Sequence, residues 1–331
     1  MRLLLRSIFL LLLLAAGIAG AAWWWATAPL AMRSSPTDFR ILPGSGLRSA
    51  SLQIQAAGVQ LEPSFMVLLA RIKHAEGSIK AGSYSIAQGI TPLQLLDKMT
   101  RGEVSQGELL LPEGWSFRQW RTRIDQHPDL QHLTSQLTEA ELIAKLGISA
   151  AKIEGLLFPD TYLFDKQSTD LELYARALRA MQSRLDAAWA QRAPGLPYKT
   201  PYEALIMASI VEKETGRDAD RPMVASVFVN RLRVGMLLQT DPTVIYGLGS
   251  AFDGNLRKQH LRTDTPYNTY TRAGLPPTPI AMPGNNSLLA AMNPASSDAL
   301  YFVARGDGSS QFSRTLDEHN QAVNKYQRGA K

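Results

Sequence analysis

The N-terminal thirty residues constrain the fold of this 331-residue chain more than any other segment. Arg2 and Arg6 precede the run Ser7–Trp25, which contains no charged residue and ends in three consecutive tryptophans. A helix of this length, at about 1.5 Å per residue, is close to the ~30 Å thickness of a bilayer's hydrocarbon core. Indole rings favour the membrane–water interface. The pattern predicts a transmembrane anchor in residues 1–30, and a signal peptide cleaved at Ala26–Ala28 is the alternative.

Charge and cysteine content narrow the possible functions. The positive residues lie before the apolar run, so the positive-inside rule places the N terminus in the cytoplasm and the remainder outside. The chain has no cysteine, which excludes disulfides, zinc–thiolate sites, iron–sulfur clusters and a thiol nucleophile. The net charge of +6 comes from basic residues scattered over helices, and nucleic acid is therefore not an expected partner.

Two segments follow the anchor. Residues 31–49 carry serine, proline and glycine and are predicted as a linker. Residues 50–111 show helical periodicity in Pro63–Lys73, then a Thr-Pro helix start, with strands in residues 81–86 and 104–111. Their sequence resembles a LysM-like module of βααβ order, a unit that often binds N-acetylglucosamine polymers. A small packing domain is the alternative.

Residues 112–331 are predicted as one larger domain of mixed helices and strands. Helices are expected in residues 116–124, 138–146, 171–192, 201–216, 221–235 and 316–326, and strands in 299–304 and 311–313. The phrase EGLLFPDTY, residues 154–162, is rich in aromatic and turn residues and predicts a rigid loop. Such a loop suits the apolar face of a sugar ring. The alternative is that Phe158 and Tyr162 fill the core.

The segment PYEALIMASIVEKETG, residues 201–216, contains a candidate acid. At about 100° per residue, Glu212 shares a helix face with Leu205 and Ala208, whereas Glu214 lies on another face and is predicted to meet solvent. A carboxylic acid against an apolar wall stays protonated to higher pH, because desolvation disfavours its charged form. A general acid for glycosidic bonds requires this property. An exposed glutamate near a helix end is the alternative that spacing leaves open.

Three later loops concentrate amide, hydroxyl and tyrosine groups between prolines and glycines. They cover residues 239–247, 267–270 and 283–287. Such groups offer directional hydrogen bonds to hydroxyls together with flat surfaces for stacking. The pattern is typical of a sugar-binding groove.

Four ordered segments resemble the YceG-like family, the MltG-type endolytic murein transglycosylases. They are ASIVEKETG, VASVFVNRLRVGMLLQTDPTVIYG, YNTYTRAGLPPTPIAMPG and YFVARGDGSSQFSRTLDEHN. The anchor, the LysM-like unit and EGLLFPDTY fit the same family, so the resemblance covers essentially the whole chain. It implies an α+β protein with a transmembrane helix, a small LysM-like domain and a mixed α/β catalytic domain. It also implies a single-pass protein of the cell inner (cytoplasmic) membrane, with an extracytoplasmic enzyme that cleaves nascent glycan strands.

The resemblance assigns roles to individual residues. The first glutamate of the EKE phrase, Glu212, corresponds to the catalytic residue. The implied groove residues are Gln239, Thr240, Asp241, Tyr246, Tyr267, Asn268 and Tyr270. Peptidoglycan strands and the membrane are the expected partners, and cell-wall synthases are candidate partners.

The implied mechanism uses one carboxyl group as acid and then as base. Protonated Glu212 donates to the glycosidic oxygen between N-acetylmuramic acid and N-acetylglucosamine. It then takes the proton of the C6 hydroxyl, which closes a 1,6-anhydro ring without water, metal or cofactor. Two alternatives stay open: a hydrolase of the same glycan in which Asp241 activates water, and a non-catalytic peptidoglycan-binding scaffold.

Overall fold

The uncharged N-terminal run forms a single long helix. In the computed structural model, which describes residues 2–329, this helix is α1, Arg2–Thr27. Its segment Leu5–Thr27 is 23 residues long and has none of its most apolar window buried against the protein. Within residues 2–329 it is the one helix that is long and apolar enough to cross a membrane.

The chain folds into two compact units. The first takes in residues up to Glu108 together with Pro128–Gln131 and Leu163–Ser168, and the second takes in the rest. The fold is mixed α and β, and in the described residues the strands form two-stranded sheets: Thr37–Ile41 with Gly82–Ile86, Gln106–Leu111 with Asp160–Asp165, and Tyr301–Ala304 with Ser310–Ser313. In chain order the first elements after α1 are β1 (Thr37–Ile41), α2 (Leu47–Ala56), α3 (Pro63–Ile72), β2 (Gly82–Ile86), α4 (Pro92–Arg101) and β3 (Gln106–Leu111).

Strand β1 lies inside residues 31–49, for which the sequence predicts a linker. It pairs antiparallel with β2, and Phe39 lies opposite Tyr84. The serine and proline residues before it mask a short alternation in which Thr37, Phe39 and Ile41 are buried. The βααβ order consequently occurs over β1, α2, α3 and β2, earlier in the chain than the predicted 50–111.

The first unit has its own apolar core. Tyr84, Met99 and Ile54 are fully buried there, between the strand pair and helices α2, α3 and α4. Helix α4 starts with a capping box between Thr91 and Gln94 and ends at a left-handed glycine, which satisfies backbone groups at both ends.

The second unit is mostly helical. Its elements are α5 (Phe117–Asp125), α6 (Glu139–Leu146), β4 (Asp160–Asp165), α7 (Asp170–Ala190), α8 (Pro201–Glu214), α9 (Arg221–Arg233), α10 (Asp241–Leu248), α11 (Lys258–Arg262), α12 (Asn285–Met292), β5 (Tyr301–Ala304), β6 (Ser310–Ser313) and α13 (Leu316–Val323). Every residue of α8 from Ala204 to Val211 is buried. Helices α7, α9, α10 and α12 pack around it. Helix α8 is therefore the central helix of this core.

Two segments differ from the sequence prediction. The EGLLFPDTY phrase is a turn that becomes strand β4 at Asp160, and Phe158 and Tyr162 are buried, with only 6% and 5% of their surface exposed. These two rings fill the core and offer no face to a sugar. The stretch around Pro242 is a helix, α10, because proline in the first turn has a backbone nitrogen that needs no helical partner.

Candidate active site

Glu212 lies in the last turn of α8, where the helix leaves the core. Its side chain is only 6% exposed. Since α8 is buried around its whole circumference over Ala204–Val211, the predicted apolar face does not distinguish Glu212 from Glu214. Glu214 is half-buried and accepts a hydrogen bond from the Thr240 hydroxyl. The prediction that Glu214 meets solvent was therefore wrong.

Three donors converge on the Glu212 carboxyl group. Arg221, at the start of α9, places Nη2 3.4 Å from Oε1. The Gly284 backbone N–H donates to Oε2 at 3.0 Å, and the Ser287 hydroxyl donates to the same oxygen at 2.7 Å. Gly284 and Ser287 belong to the N-terminal end of α12, where unpaired N–H groups and the helix dipole favour negative charge. These donors are placed to stabilise the negative charge that develops on the carboxyl oxygens when Glu212 gives up a proton.

A second carboxyl group, that of Glu113, lies at the same place. A side chain at position 284 would overlap the Glu113 carboxyl group, so Gly284 touches both acids. Burial raises the pKa of Glu113, the negative charge of Glu212 raises it further, and Arg221 opposes the rise. Like charges held close together cannot both ionise freely. Glu113 is therefore the member of the pair that holds a proton more readily than an ordinary glutamate.

A cavity of about 790 Å³ lies beside this pair. Gly114 lines it, and a Cβ at Gly114 would lie 3.8 Å from Oε1 of Glu212. Tyr246 and Tyr267 line the same cavity and meet edge to face, with ring centroids 5.0 Å apart. The cavity also has polar walls, from Arg118, Gln119, Glu139, Lys152 and Lys213. An aromatic surface with polar rims is the chemistry that binds a sugar polymer.

A buried glutamate, Glu154, forms part of the same wall. Its carboxyl group accepts from the Phe117 backbone N–H at 3.0 and 3.2 Å and from the Tyr246 hydroxyl at 3.1 Å. Burial raises its pKa to about 7, although both donors pull the pKa down. Glu154 thus ties the first turn of α5 to Tyr246.

A second cavity, of about 390 Å³, contains another part of the predicted groove. Gln239, Asp241 and Tyr270 line it together with Glu214 and Arg231. The Tyr270 hydroxyl donates to Asp241 at 2.6 Å. Burial raises the pKa of Glu214 and the nearby Asp241 adds to the rise, while Thr240 and Arg231 oppose it. The predicted groove residues are thus divided between two cavities, and Glu212 lies beside the first.

Thr240 and Asn268 are buried and bonded within the protein. The Thr240 hydroxyl donates to Glu214, and its backbone N–H donates to the Thr269 hydroxyl. The Asn268 amide donates to the carbonyl oxygens of His260, Leu261 and Thr263, and Asn268 has 0% of its surface exposed. These two side chains hold loops in place and present no surface to a substrate, contrary to their predicted groove role.

One group of side chains in the described residues has metal-ligand spacing: Asp125, His132 and Asp170. Asp170 already accepts from the Thr134 backbone and hydroxyl, at 2.9 and 2.6 Å, and from the Leu133 N–H. Its oxygens therefore hold the loop before α6.

The sequence reasoning missed four contributors to the Glu212 site: Glu113, Arg221, Gly284 and Ser287. Glu113 is in the phrase LPEGWS, and the loop 283–287 was recognised only as sugar-binding in composition. Glu113, Gly284 and Ser287 are 72 to 99 positions from Glu212, and spacing along the chain does not encode these contacts. Arg221 is nine positions away and reaches Glu212 because α8 and α9 pack together.

Comparison with known proteins identifies relatives of this chain. The sequence profile of the YceG-like family matches residues 39–325. A Bacillus subtilis protein named endolytic murein transglycosylase is 34% identical over 274 residues, 77% of this chain and 75% of that protein. A protein of the same name from Streptococcus pneumoniae is 27% identical over 314 residues, and the match spans 85% of this chain but only 56% of that longer relative. The crystal structure of a YceG-like protein from Listeria monocytogenes superposes with a TM-score of 0.55 at 30% identity, covering 86% of this chain and 97% of that one.

Proposed function

The chain belongs to the YceG-like family, and from this premise we propose that it is a membrane-anchored endolytic murein transglycosylase. The names of its relatives support the activity. The observation that carries the proposal is the Glu212 carboxyl group, held by three donors beside a cavity with aromatic walls.

In the first step, protonated Glu212 donates its proton to the glycosidic oxygen between N-acetylmuramic acid and N-acetylglucosamine. The bond from the muramyl C1 to that oxygen breaks, and the oxygen leaves as the hydroxyl of N-acetylglucosamine. The muramyl centre acquires oxocarbenium character, as in other glycoside cleavages. The donors from Arg221, Gly284 and Ser287 stabilise the carboxylate that Glu212 has now become.

In the second step, the Glu212 carboxylate takes the proton of the muramyl C6 hydroxyl. The C6 oxygen bonds to C1 and closes the 1,6-anhydro ring, so Glu212 regains its proton and no water is consumed. One residue serves first as acid and then as base.

Glu113 supports the two steps through its charge. Because its pKa is raised, Glu113 carries less negative charge than an ordinary glutamate at the same pH. A second negative charge beside Glu212 would oppose the formation of the carboxylate in the first step.

The glycan strand occupies the cavity beside Glu212. Tyr246 and Tyr267 offer ring surfaces to the sugars, and the polar rim offers hydrogen bonds to hydroxyl and acetamido groups. The second cavity, with Gln239, Asp241 and Tyr270, serves as a further contact region for the strand. The βααβ order of residues 37–86 supports a LysM-like unit as an additional glycan contact.

Helix α1 anchors the enzyme in the cytoplasmic membrane. Its apolar segment Leu5–Thr27 is long enough to span a bilayer. Arg2 and Arg6 at its start support an N terminus in the cytoplasm, by the positive-inside rule. The enzyme domain is then on the outer side, where nascent glycan strands are found.

Product analysis of purified protein tests the reaction. Wild-type protein incubated with uncrosslinked peptidoglycan strands should release internal fragments with anhydro ends, each lighter by one water than a hydrolysed fragment in mass spectra. Glu212→Gln should lower the rate by on the order of 10²–10⁴-fold. Glu203→Gln is the matched control: it removes a carboxyl group from the first turn of the same helix, away from both cavities, and should leave the anhydro product unchanged.

Three results would contradict the proposal. Fragments with ordinary reducing ends would indicate a hydrolase, in which Asp241 activates water. Undiminished cleavage by Glu212→Gln would remove Glu212 from the chemistry. Binding of the wild-type protein to peptidoglycan without any cleavage would favour a scaffold.

A further inference from the structure

Helix α3 of the first unit presents large apolar side chains on its outer surface. Phe65, Leu68 and Ile72 are 53%, 50% and 64% exposed. Leu68 and Ile72 follow Phe65 by three and seven residues, so the three side chains form one apolar stripe along the helix. Monomeric soluble proteins seldom leave such a stripe in water. The opposite face of α3, with Met66 and Ala70, packs into the core.

The apolar stripe of α3 lies next to the end of α1. The rings of Trp25 and Phe65 meet edge to face, with their centroids 5.5 Å apart. Between the two helices is a cavity of about 520 Å³, and its walls are almost entirely apolar. They comprise Ile18, Ala19, Ala21, Ala22, Trp23, Trp25 and Ala26 from α1, with Phe65, Leu68, Leu69, Ile72, Lys73 and Leu93.

The position of this cavity along α1 indicates how deep in the membrane the cavity lies. Ile18 lies five residues before Trp23, which is about 7 Å at ~1.5 Å rise per residue. If the tryptophans occupy the outer membrane–water interface, as indole rings prefer, a wall reaching Ile18 extends below that interface. The side chains of α3 that share the wall then also reach the acyl chains of the outer leaflet.

We propose that α3 is an interfacial membrane helix, with Phe65, Leu68 and Ile72 inserted into the outer leaflet beside the exit of α1. This inference rests on the anchoring of α1 in the proposed function. Because one face of α3 packs into the core, the exposed apolar stripe is the face that can lie against acyl chains, with the basic residues at its end in the headgroup region. The first unit would then be held against the membrane by a second contact and not only by its tether.

The charges at the end of α3 fit the same surface. Arg71 and Lys73 lie at its last turn and C-cap, and both are exposed. Long basic side chains keep their charged ends in the headgroup region while their stems lie along apolar surface. Arg71 also pairs with Glu76 at 2.7 Å, and both are largely exposed. The Lys73 ammonium group is thus placed to meet anionic headgroups.

Fluorescent labelling of the full-length protein tests this proposal. The chain has no cysteine, so Leu68→Cys gives a single site for an environment-sensitive fluorophore. The labelled protein is reconstituted into vesicles of phosphatidylethanolamine and phosphatidylglycerol, with either a lipid-borne spin-label quencher or iodide in the water. Leu52→Cys is the matched control, since Leu52 is 52% exposed on α2 of the same unit and does not line the cavity.

The Leu68→Cys label should be quenched by the lipid-borne quencher, and its iodide quenching constant should be severalfold lower than that of the Leu52→Cys label. Quenching by iodide with none from lipid would overturn the proposal, because the stripe would then lie in water. Shielding from both quenchers would overturn it too, since a protein surface would cover the stripe.

A label at Leu12→Cys in α1 separates this inference from the anchor. Lipid quenching at Leu12→Cys without lipid quenching at Leu68→Cys would refute the role of α3 and leave the anchor in place. Absence of lipid quenching at Leu12→Cys would instead refute the anchor itself.

Discussion

The buried carboxyl group of Glu154 makes a specific prediction about the pH dependence of stability. Glu154 is only 4% exposed, and burial raises its pKa from 4.5 to about 7. A raised pKa in the folded state means that folding favours the protonated form. The stabilisation is therefore complete below about pH 4.5, is lost as the pH rises to about 7, and stays lost at higher pH.

The magnitude follows from the shift. A difference of about 2.5 pH units at 1.36 kcal/mol per unit corresponds to roughly 3 kcal/mol in the free energy of unfolding. Glu154→Gln keeps the shape and the hydrogen bond from the Phe117 N–H but cannot ionise. The variant should therefore lack this contribution to the pH dependence.

Urea unfolding of the detergent-solubilised proteins, monitored by tryptophan fluorescence, gives the free energy of unfolding of wild type and Glu154→Gln between about pH 5 and about pH 8. The wild-type protein should lose up to about 3 kcal/mol more than Glu154→Gln over that range. Tyr246→Phe is a second variant, which should widen the pH range over which stability is lost. It removes a donor that lowers the pKa of Glu154, so the loss should continue to higher pH. Equal pH dependence in wild type and Glu154→Gln would refute the burial argument.

Two further predictions concern the surroundings of Glu212. Ser287→Ala removes the 2.7 Å hydrogen bond to Oε2 of Glu212. It should lower kcat by on the order of tenfold to a hundredfold with little change in KM, because hydrogen bonds to charged groups contribute about 1.5–3 kcal/mol. Ser287→Thr should restore the rate, and an unchanged kcat in Ser287→Ala would exclude this role. Glu113→Gln removes a carboxyl group whose pKa is raised. The decline in rate that ionisation of Glu113 causes at higher pH should therefore vanish from the pH–rate profile. A profile identical to that of the wild type would contradict a charge effect of Glu113.

Much of the local structure could be predicted from the sequence because its signals are local. Ser116 and Thr138 begin helices through capping boxes with residues three positions later, at the predicted places. The two short strands near the C terminus also occur where predicted, as Tyr301–Ala304 and Ser310–Ser313. The failures have local causes as well: residues 239–247 were predicted as a loop, but Pro242 lies in the first turn of α10, where a helix tolerates proline.

The candidate site was predictable only in part. Glu212 was singled out, but the reason taken from helix periodicity did not apply, because α8 is buried on all sides. Asn268 and Thr240 carry groups that suit sugar binding, yet both are buried among backbone groups that need partners. Residue type alone does not tell whether an amide meets a ligand or a loop.

The sequence by itself determined the apolar helix at the N terminus, the absence of thiol chemistry, most helix starts and the glutamate in the EKE phrase. Each of these depends on neighbouring residues or on composition. Only the tertiary structure brought Glu113, Arg221, Gly284 and Ser287 to Glu212 and divided the predicted groove between two cavities. Those contacts join residues between nine and 99 positions apart, and they form only when α8, α9 and α12 pack around one core.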